Sequence, residues 1–90
     1  MALVKFTSNL KRFYPELKEI QIDAQTISQL LEQIDQKYPG IKSYIVDDQN
    51  TLRQHVNIFI NDTMILDRNT LKDKIEKHDE VFFMQALSGG

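Results

Sequence analysis

The sequence predicts one α+β domain in which a single long helix covers one face of a mixed β-sheet. Apolar residues alternate with polar ones in short segments before residue 23 and after residue 54, as in half-buried strands. Between these segments, apolar residues recur at three- and four-residue steps, which is typical of a helix with one buried stripe. A chain of 90 residues, 41% apolar and 27% charged, has room for one globular domain.

The middle strand is the clearest, because Val56, Ile58 and Ile60 alternate with the residues of the opposite face. Asn61-Asp62-Thr63 has turn chemistry and precedes a short returning strand. The first two strands are predicted to form a hairpin. Pro15 is assigned to the connection between them, because proline cannot donate a ladder hydrogen bond. The predicted strands are 3–7, 17–22, 55–61, 64–66 and 81–86.

The helix is predicted to begin after Thr26, which suits an N-cap, with Gln29 placed to complete a capping box. It ends at Pro39-Gly40, because proline cannot continue the helix and glycine accepts a left-handed turn. Its buried stripe consists of Ile27, Leu30, Leu31, Ile34 and Tyr38. Short helical turns are expected at 41–46 and 70–75, with a polar loop at 47–54 between them.

The predicted order is strand, strand, long helix, strand, short strand, strand, without an internal repeat or an interdomain linker. In this order the architecture resembles a β-grasp, the ubiquitin-like topology. We expect residues 1–86 to form this domain and residues 87–90 to form a flexible tail that ends in Gly-Gly.

Two of the three glycines occupy the last two positions, directly after the apolar run of the final strand. Composition alone gives such a pair with a probability of about 0.5%. A frayed terminus is the simplest explanation, so the residues before the pair must support any functional interpretation. The terminal carboxylate, with a pKa of about 3.5, is ionised at neutral pH and must be activated before it can react. Adenylation is one such activation, and terminal glycines suit a narrow adenylation cleft.

The end of the chain, residues 79–90, resembles the ending of the bacterial and archaeal sulfur-carrier proteins. Residues 55–62 resemble the middle strand and turn of that family, and Tyr38-Pro39-Gly40 resembles its helix end. The family includes the small subunit of molybdopterin synthase, the thiamine sulfur carrier and the carrier of a thiocarboxylate-dependent cysteine pathway. The length and residues 41–54 and 56–62 favour the cysteine-pathway carrier, whereas Gln85-Ala86, where a proline often stands, slightly disfavours the molybdopterin subunit.

The resemblance implies that a ubiquitin-activating-like adenylyltransferase adenylates Gly90, with Gly89 giving access to the cleft. A sulfur donor enzyme then converts the adenylate to a C-terminal thiocarboxylate. The implied acceptor is an enzyme such as cysteine synthase or the large subunit of molybdopterin synthase. The protein is then a co-substrate, or a non-catalytic subunit of molybdopterin synthase, with no cofactor of its own. Two alternatives remain: a ubiquitin-like modifier that is conjugated to lysines, and a non-covalent interaction module.

Adjacent residues of the final strand face opposite sides of the sheet, and one helix covers only one side. The second face is therefore expected to present large apolar side chains to a partner. If the final strand lies beside the middle strand, the expected docking residues are Phe59, Phe82, Met84 and the tail residue Leu87, with Phe83 joining Phe59 instead if the register differs by one.

The sequence lacks the residues that other kinds of functional site require. The chain has no cysteine, which excludes disulfides and thiolate metal sites and is compatible with the cytoplasm. His55 and His78 lack the spacing of zinc ligands, and the only internal glycine, Gly40, forms no phosphate-binding loop. The 13 acidic and 11 basic residues are scattered, so nucleic acid is not an expected partner. The N-terminal residues do not have the pattern of a signal peptide, and no run approaches the roughly 20 apolar residues that span a bilayer.

Overall fold

The structure, a computed structural model, describes residues 1–85. Its strands form one five-stranded mixed sheet, and the long helix packs on one face of that sheet. This arrangement confirms the predicted β-grasp. The elements in chain order are β1 (Ala2–Phe6), α1 (Ser8–Lys11), β2 (Ile20–Ile22), α2 (Ile27–Lys37), α3 (Lys42–Ile45), β3 (Val56–Ile60), β4 (Thr63–Met64) and β5 (Glu80–Gln85). The strand order in the sheet is β2-β1-β5-β3-β4, and α2 is the long helix.

The first and last strands lie side by side at the centre of the sheet. They are parallel, with Val4 opposite Val81 and Phe6 opposite Phe83, and all other strand pairs are antiparallel. Parallel strands are normally buried on both faces or covered by a helix. Here α2 covers only one face, so the opposite face of β5 lies in the middle of the sheet without a covering helix among the described residues.

The core lies between α2 and the inward face of the sheet. Phe6 and Phe83 stack in it with ring centroids 5.6 Å apart, and Leu10 of α1 closes one end. Each fully buried side chain of this size contributes about 1.5–3 kcal/mol through the loss of water contact. The other fully buried side chains include Val4, Ile27, Leu30, Leu31, Ile34, Ile41, Ile45, Val56, Ile58 and Val81.

The helix α2 begins with the predicted cap. Thr26 Oγ1 accepts a hydrogen bond from the Gln29 N–H at 3.2 Å. The return bond differs from a standard capping box, because Gln29 Oε1 accepts from the Gln25 N–H, one residue earlier, at 3.0 Å. The first two residues of the helix are Ile27 and Ser28. Their N–H groups donate to the carbonyls of Asp73 and Leu71, in the loop before β5. The first turn therefore leaves few of its N–H groups without a partner.

Gly40 is required at the end of α2. Its φ of +95° lies in the left-handed region, and a Cβ there would stand 2.9 Å from the Tyr14 hydroxyl oxygen. That hydroxyl donates to the Pro39 carbonyl at 3.1 Å. Because both the dihedral angle and the space exclude a side chain, the helix stops where the Pro39-Gly40 pair predicts.

The helical turn predicted at 70–75 is wrong. The segment is a turn followed by an extended stretch in which Lys74 forms an isolated bridge with Thr26. The cause is side-chain competition: the Asp67 carboxylate accepts bonds from three backbone N–H groups after it and from the Thr70 hydroxyl. Asp73 accepts two more backbone bonds from the start of the same loop. Aspartate bonded in this way favours turns over helix.

Smaller differences concern the ends of elements. The strand expected at 17–22 is limited to Ile20–Ile22, and the connection before it contains α1. The strand expected at 64–66 is Thr63–Met64. The short helical turn expected at 41–46 is present as α3. Residue 86, assigned to the domain, and the expected tail 87–90 lie outside the described residues. Over residues 1–85, no helix combines the length and apolar content needed to cross a bilayer.

Candidate functional site

The face of the sheet opposite α2 brings three of the predicted docking residues together. In the register of β3 and β5, Phe59 is directly opposite Phe82 and Asn57 is directly opposite Met84. Cross-strand partners point to the same side of a sheet, with Cβ atoms about 5 Å apart. Phe59, Phe82 and Met84 therefore share the outer face, and each is half-buried. The alternative with Phe83 is excluded, because that side chain is fully buried against Phe6.

Met64 extends this surface and was not singled out from the sequence. It is opposite Phe59 in the pairing of β3 with β4, and 45% of its surface is exposed. The signal was available, because a two-residue turn after Ile60 fixes which residue of the returning strand faces outward. Phe59, Met64, Phe82 and Met84 are called the apolar patch below.

One border of the apolar patch is formed by an ion pair. Lys5 of β1 is beside Phe82 in the parallel register, and its Nζ lies 2.9 Å from Glu80 Oε1 and 4.0 Å from Glu19 Oε2. The hydrogen bond to Glu80, assisted by the negative charge there, raises the pKa of the Lys5 ammonium. Because Lys5 is paired with two carboxylates, this border presents no uncompensated positive charge.

The opposite border is formed by Arg68, a residue that the sequence analysis did not single out. Its Nη1 donates to Asn57 Oδ1 at 3.0 Å, and its Nη2 donates to the carbonyls of Val56 at 3.1 Å and Arg53 at 2.8 Å. Asn57 lies on the outer face beside Met84, so the guanidinium adjoins the apolar patch. No sequence pattern links Arg68 to β3, because the contact depends on the path of the loop after β4.

The last described residue of β5 lies beside the apolar patch. Gln85, the last described residue, is opposite Val56, and its N–H donates to Thr7 Oγ1 at 3.3 Å. Met84 immediately precedes it, so the apolar patch extends to within one residue of the last described position. Leu87, predicted to contribute to docking, lies outside the described residues. So do Gly89 and Gly90, which are predicted to take part in the chemistry of the C-terminus.

The two histidines are separate and exposed. His55 precedes β3, and His78 precedes β5 with a φ of +70°. Within residues 1–85, no group of three or more histidine, aspartate or glutamate side chains is arranged to hold a metal ion.

Comparisons with known proteins place this geometry in a family. Residues 4–90 match the profile of the ThiS family, whereas no curated protein sequence matches significantly. The fold is similar to that of a chain in the Amycolatopsis orientalis BexX/CysO complex, with a TM-score of 0.84, 20% identity and 100% of each chain covered.

Two further structures have the same fold. Mycobacterium tuberculosis CysO has a TM-score of 0.83 and 21% identity, over 97% of this chain and 100% of that chain. The small archaeal modifier protein 1 from Methanosarcina acetivorans has a TM-score of 0.79 and 24% identity, over 99% and 95%. At these identities the structures show the fold, whereas the profile match covers nearly the whole sequence. The chain belongs to the ThiS family, which confirms the resemblance to the ubiquitin-like sulfur carriers.

Proposed function

We propose that this protein carries sulfur on its C-terminus and that the apolar patch docks it on the enzymes that load and unload that sulfur. Membership of the ThiS family supports the carrier role. The observation that supports the docking role is adjacency: Met84 of the patch is followed directly by Gln85, the last described residue before the sequence that ends in Gly89-Gly90. A partner that covers Phe59 and Phe82 is thereby placed to receive the five residues that follow Gln85.

The proposed chemistry begins with adenylation of Gly90. A carboxylate oxygen attacks the α-phosphorus of ATP and displaces pyrophosphate, leaving an acyl-adenylate. Hydrosulfide supplied by the donor enzyme then attacks the carbonyl carbon, forms the C–S bond and displaces AMP, and loss of its proton leaves the thiocarboxylate. Unlike the carboxylate, this group is a strong nucleophile at neutral pH. Gly89 has no side chain, which suits passage through a narrow cleft.

In this role the protein is a co-substrate rather than an enzyme. We propose three kinds of partner: a ubiquitin-activating-like adenylyltransferase, a sulfur donor enzyme and an acceptor enzyme. We favour the cysteine pathway, with cysteine synthase as the acceptor, over the molybdopterin pathway, with the synthase large subunit. Chain length and residues 41–54 and 56–62 support this preference, as do the two structures named CysO, one of them in a complex with BexX.

A second candidate is a ubiquitin-like modifier, in which a lysine amine of another protein attacks the Gly90 adenylate. The similarity to the small archaeal modifier protein 1 favours including it. Isopeptide adducts on lysines in a cell extract distinguish the modifier from the carrier. A non-covalent interaction module, the third candidate, predicts that deletion of Gly89-Gly90 leaves function intact.

The test is the intact mass of the protein after incubation with a ubiquitin-activating-like enzyme, ATP and sulfide. Replacement of one oxygen by sulfur adds about 16 Da, which the proposal expects on the peptide that contains Gly90. A chain lacking Gly90 but otherwise identical is the matched control and should gain nothing. An unchanged mass with several enzymes that adenylate other ThiS-family proteins contradicts the carrier proposal.

A further inference from the structure

Arg68 adjoins the apolar patch and forms no ion pair with a carboxylate of residues 1–85. Lys5, on the other border, is paired with Glu80 and Glu19. Arg68 donates three hydrogen bonds, all to neutral oxygens. Its positive charge is therefore uncompensated by ion pairing in residues 1–85, whereas the charge of Lys5 is balanced on the protein itself.

The guanidinium is also held in one place. Two backbone carbonyls and one side-chain amide accept its bonds, and its own carbonyl accepts from the Leu52 N–H at 2.8 Å. An arginine has five N–H donors, so two remain for a partner molecule beyond those used within the described residues. A fixed arginine loses less side-chain entropy on binding than a mobile lysine does, because its orientation is set in advance.

The location of this charge relates it to the tail. Arg68 bonds to Val56 and Asn57, whose cross-strand partners are Gln85 and Met84. The guanidinium therefore lies within about 10 Å of the Gln85 backbone, given the spacing of neighbouring strands. Arg53 and His55 line the same open groove beside Arg68, with Asp47 as the single acidic residue in it.

A purely structural role explains only part of this arrangement. By bonding to the carbonyls of Arg53 and Val56, Arg68 closes the turn that leads into β3. That role needs hydrogen-bond donors but does not account for a charge left without a counterion beside the patch. Charges at the rim of an interface act mainly on the association rate and on specificity, and their effect falls as salt is added.

We propose that Arg68 is a specificity-determining residue, a fixed cation at the start of the tail that binds a carboxylate on the surface of the adenylating enzyme. The inference rests on the proposed function, since it assumes that an enzyme covers the apolar patch and takes the tail. It adds the chemistry of that enzyme's surface: an acidic side chain at the rim, placed next to the residues that contact Met84. Arg68 acts in recognition and has no part in the reaction of Gly90.

The test uses the adenylating enzyme that produces the mass gain described above, with the carrier as the varied substrate in pyrophosphate exchange. Arg68→Gln should raise the KM for the carrier about tenfold at low salt and less than about twofold at high salt, with kcat unchanged. Arg68→Lys keeps the charge but loses the planar fork, so it should raise KM about two- to threefold and keep the salt dependence.

Lys18→Gln is the matched control, because it removes one exposed positive charge near β2, at the opposite edge of the sheet. It should behave as the wild type. A structural role alone would give Arg68→Gln a KM that is raised equally at all salt concentrations, together with a lower Tm, and this result overturns the inference. So does a KM for Arg68→Gln equal to that of Lys18→Gln.

The wild-type chain provides a test that does not depend on how the variants fold. Its KM should rise with salt, and a KM independent of salt overturns the inference even if Arg68→Gln cannot be purified. Failure of the proposed function has a different signature: no enzyme then adenylates the wild-type chain, and the inference falls with it. Adenylation of the wild type together with salt-independent binding rejects only the role of Arg68.

Discussion

Phe59 and Phe82 face each other across β3 and β5 on the side of the sheet that α2 does not cover. Each is half-buried, so each keeps part of its ring available while the backbone beneath it is fixed by the ladder. The next residue of β5, Phe83, is fully buried against Phe6. Alternation along one strand thus separates a residue that stabilises the fold from one that is free to bind.

Phe59→Ser should weaken docking more than it weakens folding. Loss of an aromatic side chain at the centre of an interface raises the KM of the adenylating enzyme for the carrier by about tenfold or more. Because the ring is half-buried, we expect a loss of stability of about 1–2 kcal/mol. Pyrophosphate exchange and urea unfolding measure the two effects. Phe13→Ser is the matched control, since Phe13 is 55% exposed outside the patch, and it should leave KM unchanged. Equal KM values for both variants would place docking elsewhere.

Phe83→Ala should destabilise the domain by about 3–5 kcal/mol, because it leaves a cavity in a close-packed core. Phe82→Ala, the same change at the adjacent position, should cost less than about 2 kcal/mol, since its ring already contacts solvent. Urea unfolding followed by circular dichroism gives both values. A larger loss at position 82 than at position 83 would contradict the pairing of Phe59 with Phe82 on the outer face.

Thr26→Ala should lower the free energy of unfolding by about 1 kcal/mol, because the Gln29 N–H loses its acceptor at the start of α2. For a domain of this size the change corresponds to a fall in Tm of about 4–8 °C. Thr26→Ser keeps the hydroxyl and should retain most of the stability. If the alanine and serine variants have the same Tm, the hydroxyl does not stabilise the helix.

Asp67 should make the stability depend on pH at acid values. Hydrogen bonds from the Thr70 hydroxyl, and then from backbone N–H groups, lower the pKa of its carboxyl from 3.8 to about 2. A lowered folded-state pKa means that the stabilisation is complete above the unfolded value and is lost as pH falls through the folded one. Asp67→Asn should therefore be less stable than the wild type at neutral pH.

The difference in the free energy of unfolding between the wild type and Asp67→Asn should narrow as pH falls from about 4 towards about 2. Urea unfolding at several pH values measures it. Asp62→Asn is the control, because Asp62 is exposed in the turn between β3 and β4, and it should show no comparable gap. A gap for Asp67→Asn that is constant down to the lowest pH would show that the carboxylate charge is not what these bonds stabilise.

The sequence predicted the elements whose signals are local. The three- and four-residue period and the Thr26 cap located α2, and alternation in β3 and β5 assigned Phe59, Phe82 and Met84 to one face. Contacts between distant residues were not predictable in this way. The loop after β4 is shaped by Asp67 and its backbone partners, which overrode the helical turn expected at 70–75.

The same distinction applies to the candidate site. The outer face follows from the two-residue period of strands, so most of the apolar patch could be named from the sequence. Arg68 reaches β3 only because the loop returns to it, with Leu52 bonded to the Arg68 carbonyl at 2.8 Å. The functions of Leu87, Gly89 and Gly90 remain predictions from the sequence and from the family, since these residues lie outside the described part of the chain.

The absence of cysteine makes a direct test of sulfur on the C-terminus possible. In a chain without thiol side chains, a thiol-selective alkylating reagent at neutral pH has the thiocarboxylate as its reactive sulfur anion. The measurement is the mass of the alkylated protein, isolated from cells that also contain its adenylating and sulfur donor enzymes. The account predicts one alkyl adduct, on the peptide that ends in Gly90, and none on a chain lacking that residue. An unlabelled wild-type protein, or an adduct on any other peptide, would contradict it.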